Sequence, residues 1–177
     1  RLPERDEELN GASDHAKAFV LVSDGQAWSG EVEIALKQAF QYWSLRGQPG
    51  RRHFVHLTEA YHGDTLGAVG VGGIELFHRV FGPLIVAGIP APSPVMYPNP
   101  ERRTADVVRD AALGTLERIL SERGREIAAV VMEPVVQGAA GMLVHPTGFL
   151  AGVAKLCRAY DVLLIADEVA TGFGRTG

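Results

Sequence analysis

Asp167 and Glu168 are adjacent carboxylates that the apolar run Val162-Leu-Leu-Ile-Ala166 delivers to a glycine-rich turn, Ala170-Thr-Gly-Phe-Gly-Arg-Thr-Gly177. Acids at the carboxyl end of a strand buried on both faces sit where open α/β sheets bind their ligands, so both are candidates for ligand chemistry. Two other clusters carry useful side chains. Tyr61-His62-Gly63-Asp64 combines an aromatic ring, an imidazole and an acid able to attract an amine, and Glu133-Pro134 is followed by Gln137. Each residue also has an ordinary structural use. A strand-end acid caps a turn or a helix, an Asp after Gly is a turn residue, and Glu133 or Gln137 can satisfy backbone amides nearby. A core tyrosine is the lesser alternative for Tyr61, whereas a satisfied structural histidine is the better reading of His62.

The elements that must position these clusters can be read from periodicity. Residues 18–23 form a first strand, and a helix follows from Glu31, with Val32, Ala35, Leu36, Ala39, Phe40 and Trp43 on one stripe before Gly47, Pro49 and Gly50 end it. Strands are expected at 53–57, 127–132 and 162–166, and helices at 104–123 and 148–160. The stretch 67–73 is rich in glycine, which concentrates backbone freedom there. Six of the ten prolines fall within 83–100, so that region is expected to be irregular, with at most a short strand near 84–87. Strands alternating with long helices imply βαβ crossovers, a largely parallel sheet and the α/β class. In such a sheet the three polar clusters emerge along one edge.

Bulk properties narrow the function. The 177 residues are 46% hydrophobic and 21% charged, ordinary for a globular domain with a sizeable core. A net charge of −4 without a basic block offers no footprint for nucleic acid. The single Cys157 excludes an internal disulfide framework and a cysteine zinc cluster. No apolar run approaches the roughly 20 residues that span a bilayer, and the acidic opening residues do not resemble a targeting peptide. A soluble, cytoplasmic protein without membrane or metal partners is the expectation. An apolar strand ending in Asp-Glu also describes the Walker B strand of a P-loop ATPase, but no Gly-Lys pair exists to cradle a phosphate chain. No Gly-x-Gly-x-x-Gly follows the first strand as dinucleotide binding requires, the Gly-x-Ser-x-Gly of serine hydrolases is missing, and the histidines have no zinc-ligand spacing.

Tyr61-His-Gly-Asp-Thr-Leu-Gly-Ala68, Met132-Glu-Pro-Val-Val-Gln-Gly-Ala-Ala-Gly-Met-Leu143 and Leu164-Ile-Ala-Asp-Glu-Val-Ala-Thr-Gly-Phe-Gly-Arg-Thr-Gly177 resemble the class III pyridoxal-phosphate aminotransferases, a likeness that runs through nearly all of residues 18–177. The resemblance implies a three-layer αβα fold type I large domain, incomplete here, in a homodimeric enzyme that moves an amino group from a small-molecule donor to a keto acceptor. It implies pyridoxal 5'-phosphate as cofactor, with Asp167 beside the protonated ring nitrogen that deepens the electron sink. Tyr61 would stack on the ring, Val169 would pack its opposite face, and His62 and Glu133 would lie near the cofactor. Ser29 and Gly30 would offer a hydroxyl and an amide to the phosphate at a helix N-terminus. Tyr61, Asp64 and Gln137 would face the substrate, while Arg175 could anchor a carboxylate or cap the turn.

Two departures qualify the resemblance. Where the family reads roughly Asp-Asn-Gly-Ser-Thr-Ala-Val-Glu at the phosphate turn, this chain reads Asp24-Gly-Gln-Ala-Trp-Ser-Gly-Glu-Val-Glu33, two residues longer, and Trp28 stands in the cradle. A remodelled loop without phosphate is the competing reading. The family's Schiff-base lysine lies downstream of Gly177, and Lys17, Lys37 and Lys155 do not occupy its place. Residues 1–177 therefore read as a partial large domain, without the amino-terminal segment, the lysine region and the small domain. Alone they are expected not to transaminate, and a non-catalytic structural or interaction module is the alternative. Which donor and acceptor a parent enzyme would use stays open, since ω-amino acids and diamines are handled by the same motifs.

Overall fold

The computed structural model describes residues 18–21, 30–96, 101–172 and 174. Strands β1 (Ala18–Leu21), β2 (His53–Leu57), β3 (Ile89–Ala91), β4 (Ile127–Met132) and β7 (Leu163–Asp167) form one sheet, ordered β1-β7-β4-β2-β3, with every neighbouring pair parallel. A separate antiparallel hairpin joins β5 (Val136–Gln137) to β6 (Leu143–Val144). The helices are α1 (Gly30–Leu45), α2 (Leu66–Gly70), α3 (Glu75–His78), α4 (Ala105–Arg123) and α5 (Phe149–Ala159). The chain thus has the expected α/β architecture, with helices on both faces of a parallel sheet.

Alternation along the strands builds two cores. All of β4 and β7 is buried, as strands covered on both faces must be. Ala129, Val131, Leu163 and Ile165 face α1, meeting Val32, Ala35, Leu36, Ala39 and Trp43 together with Ala68 of α2. Val130, Met132 and Leu164 point the other way, onto Ala112, Leu116 and Ile119 of α4 and Phe149 and Val153 of α5. Each large side chain so buried contributes about 1.5–3 kcal/mol of transfer free energy. Trp43 also needs a partner for its indole N–H, and it donates to the Ala128 carbonyl at 2.8 Å.

The amino ends of β4 and β7 are pinned by Arg51. Its Nη1 donates to the carbonyls of Gly124 at 2.9 Å, Ile127 at 3.3 Å and Asp161 at 2.9 Å, while Nε donates to Gln48 Oε1 at 2.7 Å. The guanidinium lies 4.2 Å from the centre of the Trp43 ring, so a buried cation is matched on its face and on its edge.

Three expectations about the elements are corrected. Phe40 is 49% exposed, because at 100° per residue it lies roughly 80° round the helix from Val32, off the stripe that Trp43 and Ala39 continue. The edge strand falls at Ile89–Ala91, not near 84–87, where Pro83 instead opens a 3-10 turn at Gly82–Leu84. Pro90 cannot donate to a ladder, and β3 tolerates it because β2 is its one neighbour in the sheet. The glycine-rich stretch carries α2, capped by Thr65 Oγ1 accepting from the Ala68 amide at 3.4 Å. Its glycines serve close approach: a Cβ on Gly73 would lie 2.5 Å from the Glu59 nitrogen and 2.8 Å from the Leu57 oxygen. Among the described residues no helix is long and apolar enough to cross a membrane.

Candidate active site

β2 and β4 are neighbours, yet α2 after β2 packs with the α1 core and α5 after β4 packs on the opposite face. Connections that part in this way leave a crevice outside the strands' carboxyl ends, the usual ligand position in open α/β sheets. A cavity of about 300 Å³ lies there, with Tyr61, His62 and Asp64 from the loop after β2, Glu133 after β4, and Asp167 and Val169 at the end of β7 on its walls. Residues more than 100 positions apart meet because their strands flank β4.

Asp167 is the last residue of β7 and is 5% exposed. Its Oδ2 lies 2.8 Å from His62 Nδ1, and its Oδ1 accepts the Val169 amide at 3.1 Å. An ionised carboxylate only accepts, so Nδ1 carries the hydrogen of this pair. The other ring nitrogen, Nε2, is buried and has no hydrogen-bond partner among the described residues. No local pattern points to a partner for His62; the usable signal is the shared sheet edge, which brings the loop after β2 to the end of β7.

Glu133 ties two loops with one carboxylate. Its Oε1 accepts the Tyr61 amide at 3.2 Å and its Oε2 the Gly138 amide at 2.8 Å. Burial raises its pKa above the ordinary carboxylate value, against the opposing pull of the Gly138 N–H, His62 and the Tyr61 N–H. The next turn is strained, with the β-branched Val135 at φ 69°. Tyr61 is half-buried and its hydroxyl donates to Asp64 Oδ1 at 3.0 Å; burial first, and Asp64 second, raise its pKa.

Gln137, expected on the substrate side, does not line the cavity. It is fully buried, its Nε2 donating to the Thr58 carbonyl at 2.9 Å and its Oε1 paired with His145 Nε2 at 3.2 Å, so the amide is consumed in linking β5 to β2. His145 has its pKa pushed down to about 4 by burial, which matches a neutral ring donating from Nε2. Glu168 is buried and lies outside the cavity wall. Gly30 opens α1, and the next two residues, Glu31 and Val32, reach the cavity. Sequence reasoning missed Glu31, although an acid in the first turn of a helix beside the altered 24–33 loop was a usable signal. Ser29, Trp28 and Arg175 lie outside the described residues. Cys157 is buried on α5, its thiol pushed up to about 12, and takes no part.

The family model "Aminotransferase class-III" matches residues 10–177, and the chain belongs to that family. Among named relatives, an adenosylmethionine-8-amino-7-oxononanoate aminotransferase from Anoxybacillus flavithermus is 53% identical over 89% of this chain and 34% of its own length. That from Geobacter sulfurreducens is 54% identical over 82% of this chain and 32% of its own. The crystal structure of the Methanocaldococcus jannaschii enzyme of the same name matches with a TM-score of 0.72 and 44% identity, covering 84% of this chain and 31% of that one. A PLP-bound amine transaminase from an uncultivated Pseudomonas species matches with a TM-score of 0.78 and 40% identity, covering 83% and 33%. The chain therefore spans about a third of the length of these relatives.

Proposed function

We propose that the complete protein containing this chain is a pyridoxal-phosphate-dependent aminotransferase of biotin synthesis, moving an amino group from S-adenosylmethionine to 8-amino-7-oxononanoate to give 7,8-diaminononanoate. The observation that carries the reading is Asp167: a buried carboxylate on the cavity wall, oriented by His62 on one oxygen and the Val169 amide on the other, in a chain 53% identical to an enzyme of that name. The donor set suits the cofactor's ring. A buried acid with acceptor capacity to spare matches a protonated ring nitrogen, and the cavity offers an aromatic side chain, Tyr61, and an aliphatic one, Val169, for the two ring faces.

When bound, pyridoxal phosphate supplies an electron sink for the bonds at the substrate's amino-bearing carbon. Asp167 would pair with the protonated ring nitrogen, and His62 Nδ1, 2.8 Å from Oδ2, aligns that carboxylate. Tyr61 and Val169 would hold the two faces of the ring. Glu133 acts through the backbone, fixing the Tyr61 and Gly138 loops that flank the cavity. Asp64, at the exposed rim, attracts the cationic amine of the donor. Among the described residues Lys37 and Lys155 are exposed on α1 and α5 and neither lines the cavity, so the reacting lysine is assigned to the part of the protein outside this chain. A homodimer in the cytoplasm completes the proposal.

A second reading has its own support, since the amine transaminase matches with the higher of the two TM-scores. Assay of the complete protein separates them. Formation of 7,8-diaminononanoate from S-adenosylmethionine and 8-amino-7-oxononanoate is the expected result, and turnover of simple ω-amines alone would replace the biotin assignment with a general amine transaminase.

A further inference from the structure

The loops after β2 and β4 both line the cavity, Tyr61 and Asp64 coming from one and Glu133, Gly138 and Ala139 from the other. They are tied together twice. Glu133 Oε1 accepts the Tyr61 amide at 3.2 Å, and Gln137 Nε2 donates to the Thr58 carbonyl at 2.9 Å. The first tie lies in the cavity wall, while Gln137 is fully buried outside it. The Gln137 amide sits only one way round. A carbonyl only accepts, so the NH2 group faces Thr58 and the oxygen faces His145 Nε2 at 3.2 Å. Thr58 is itself secured to the end of β3, its amide donating to the Ala91 carbonyl at 2.8 Å and its hydroxyl accepting the Ser93 amide at 3.0 Å. Gln137 thus reaches from the hairpin to a fixed point of the main sheet.

Between Glu133 and Gln137 the chain turns sharply. The Val136 amide donates to the Pro134 carbonyl at 2.8 Å, closing a three-residue γ-turn centred on Val135 at φ 69°. The positive-φ form of this turn is rare and strained, the more so with a β-branched residue at its centre, and it persists only where its surroundings hold it. Two contacts do so: the His145 amide donating to the Val135 carbonyl at 2.8 Å, and the Gln137 side chain on Thr58. What the turn delivers is the Gly138 amide, which donates to Glu133 Oε2 at 2.8 Å. We infer that Gln137 is a positioning residue for the cavity: by anchoring the strained turn to Thr58 it keeps the Gly138 amide on Glu133, and through Glu133 it fixes Tyr61. The inference rests on the reading of the cavity as a pyridoxal-phosphate site. Without the anchor the turn relaxes toward negative φ and the Gly138 amide leaves the carboxylate. Glu133, buried and short of a donor, then turns toward water and releases the Tyr61 amide.

The test uses the complete protein, with pyridoxal phosphate as the probe in equilibrium dialysis and amide hydrogen exchange measured without it. Gln137→Met keeps the side-chain volume and removes both hydrogen bonds, and Gln137→Glu at neutral pH removes only the donor to Thr58. Leu116→Ala, in the core beneath α4, lowers the melting temperature without touching either loop and is the control for lost stability. Both Gln137 variants are expected to bind pyridoxal phosphate about tenfold more weakly and to exchange the Gly138 and Tyr61 amides about tenfold faster, with the control within about twofold of the parent in both. Added to Glu133→Ala, Gln137→Met is expected to change affinity by less than about twofold, because its route to Tyr61 is already cut. Parent-like affinity in a folded Gln137 variant, faster exchange at Gly138 alone, or losses that multiply in the double variant overturns the inference and leaves the cofactor reading standing. A parent protein that does not bind pyridoxal phosphate overturns the cofactor reading and this inference with it.

Discussion

The two edges of the sheet both bury charge, and they treat it in opposite ways. At the amino edge Arg51 spends its donors on the carbonyls of Gly124, Ile127 and Asp161 and on Gln48, and rests its face on Trp43. At the carboxyl edge, among the described residues, Asp167 bonds to His62 and to the Val169 amide, while His62 Nε2 and one Glu31 oxygen have no hydrogen-bond partner. A carboxylate offers about four acceptor sites, so Asp167 retains capacity that the fold leaves unspent. A saturated charge secures the architecture; an unsaturated one facing a cavity is available to a ligand.

Substitutions can break that contrast. The largest effect is expected for Asp167→Asn, which should lower kcat of the complete enzyme by about a thousandfold, with a much smaller change in thermal stability. Steady-state kinetics beside a melting curve checks both, and a loss of stability without a loss of rate would make the two edges alike. Arg51→Met removes a donor from three carbonyls, of which that of Gly124 keeps the Ile127 amide, and should cost about 4 kcal/mol of stability by denaturant unfolding, with cofactor affinity unchanged. A weakened cofactor affinity there would mean that the two edges are coupled.

A smaller effect concerns acid. His145 titrates at about 4 in the fold against 6.5 for the unperturbed group, so its folded pKa is depressed. The unfolded chain takes up the proton first, and the stability of the neutral ring is complete above pH 6.5 and is lost as pH falls toward 4. The loss is at most about 3 kcal/mol, and His145→Asn should flatten the fall in melting temperature across that window. An equally steep fall in the variant would remove His145 from the acid response. Smallest of all, Tyr61→Phe deletes the hydroxyl that bonds Asp64 and should change KM for the donor by less than about tenfold, with stability preserved. A larger change in kcat than in KM would give the hydroxyl a part in the chemistry.

Much of this contrast was legible in the sequence where periodicity and turn chemistry act locally. The α1 stripe, the buried runs of β4 and β7, and the extent of α4 all follow from residue type and spacing. The placement of Tyr61, Glu133 and Asp167 on one edge followed from parallel topology. Partnerships did not. The His62–Asp167 pair depends on strand order, which no local pattern encodes, and Arg51 reads from sequence as one more polar residue after a turn. Gln137 was misread because a loop glutamine looks available for a substrate until the β5–β6 hairpin turns it toward Thr58 and His145. Phe40 shows the same limit on a helix, where a step of one residue separates core from solvent.

The position of Pro90 has a consequence for assembly. A strand that lacks an amide cannot offer a full ladder to an incoming chain, so the β3 side of the sheet resists extension. β1 carries no such block at Ala18–Leu21. Among the described residues the two edges of the sheet are therefore unequal, the β3 edge interrupted by a missing amide and the β1 edge not.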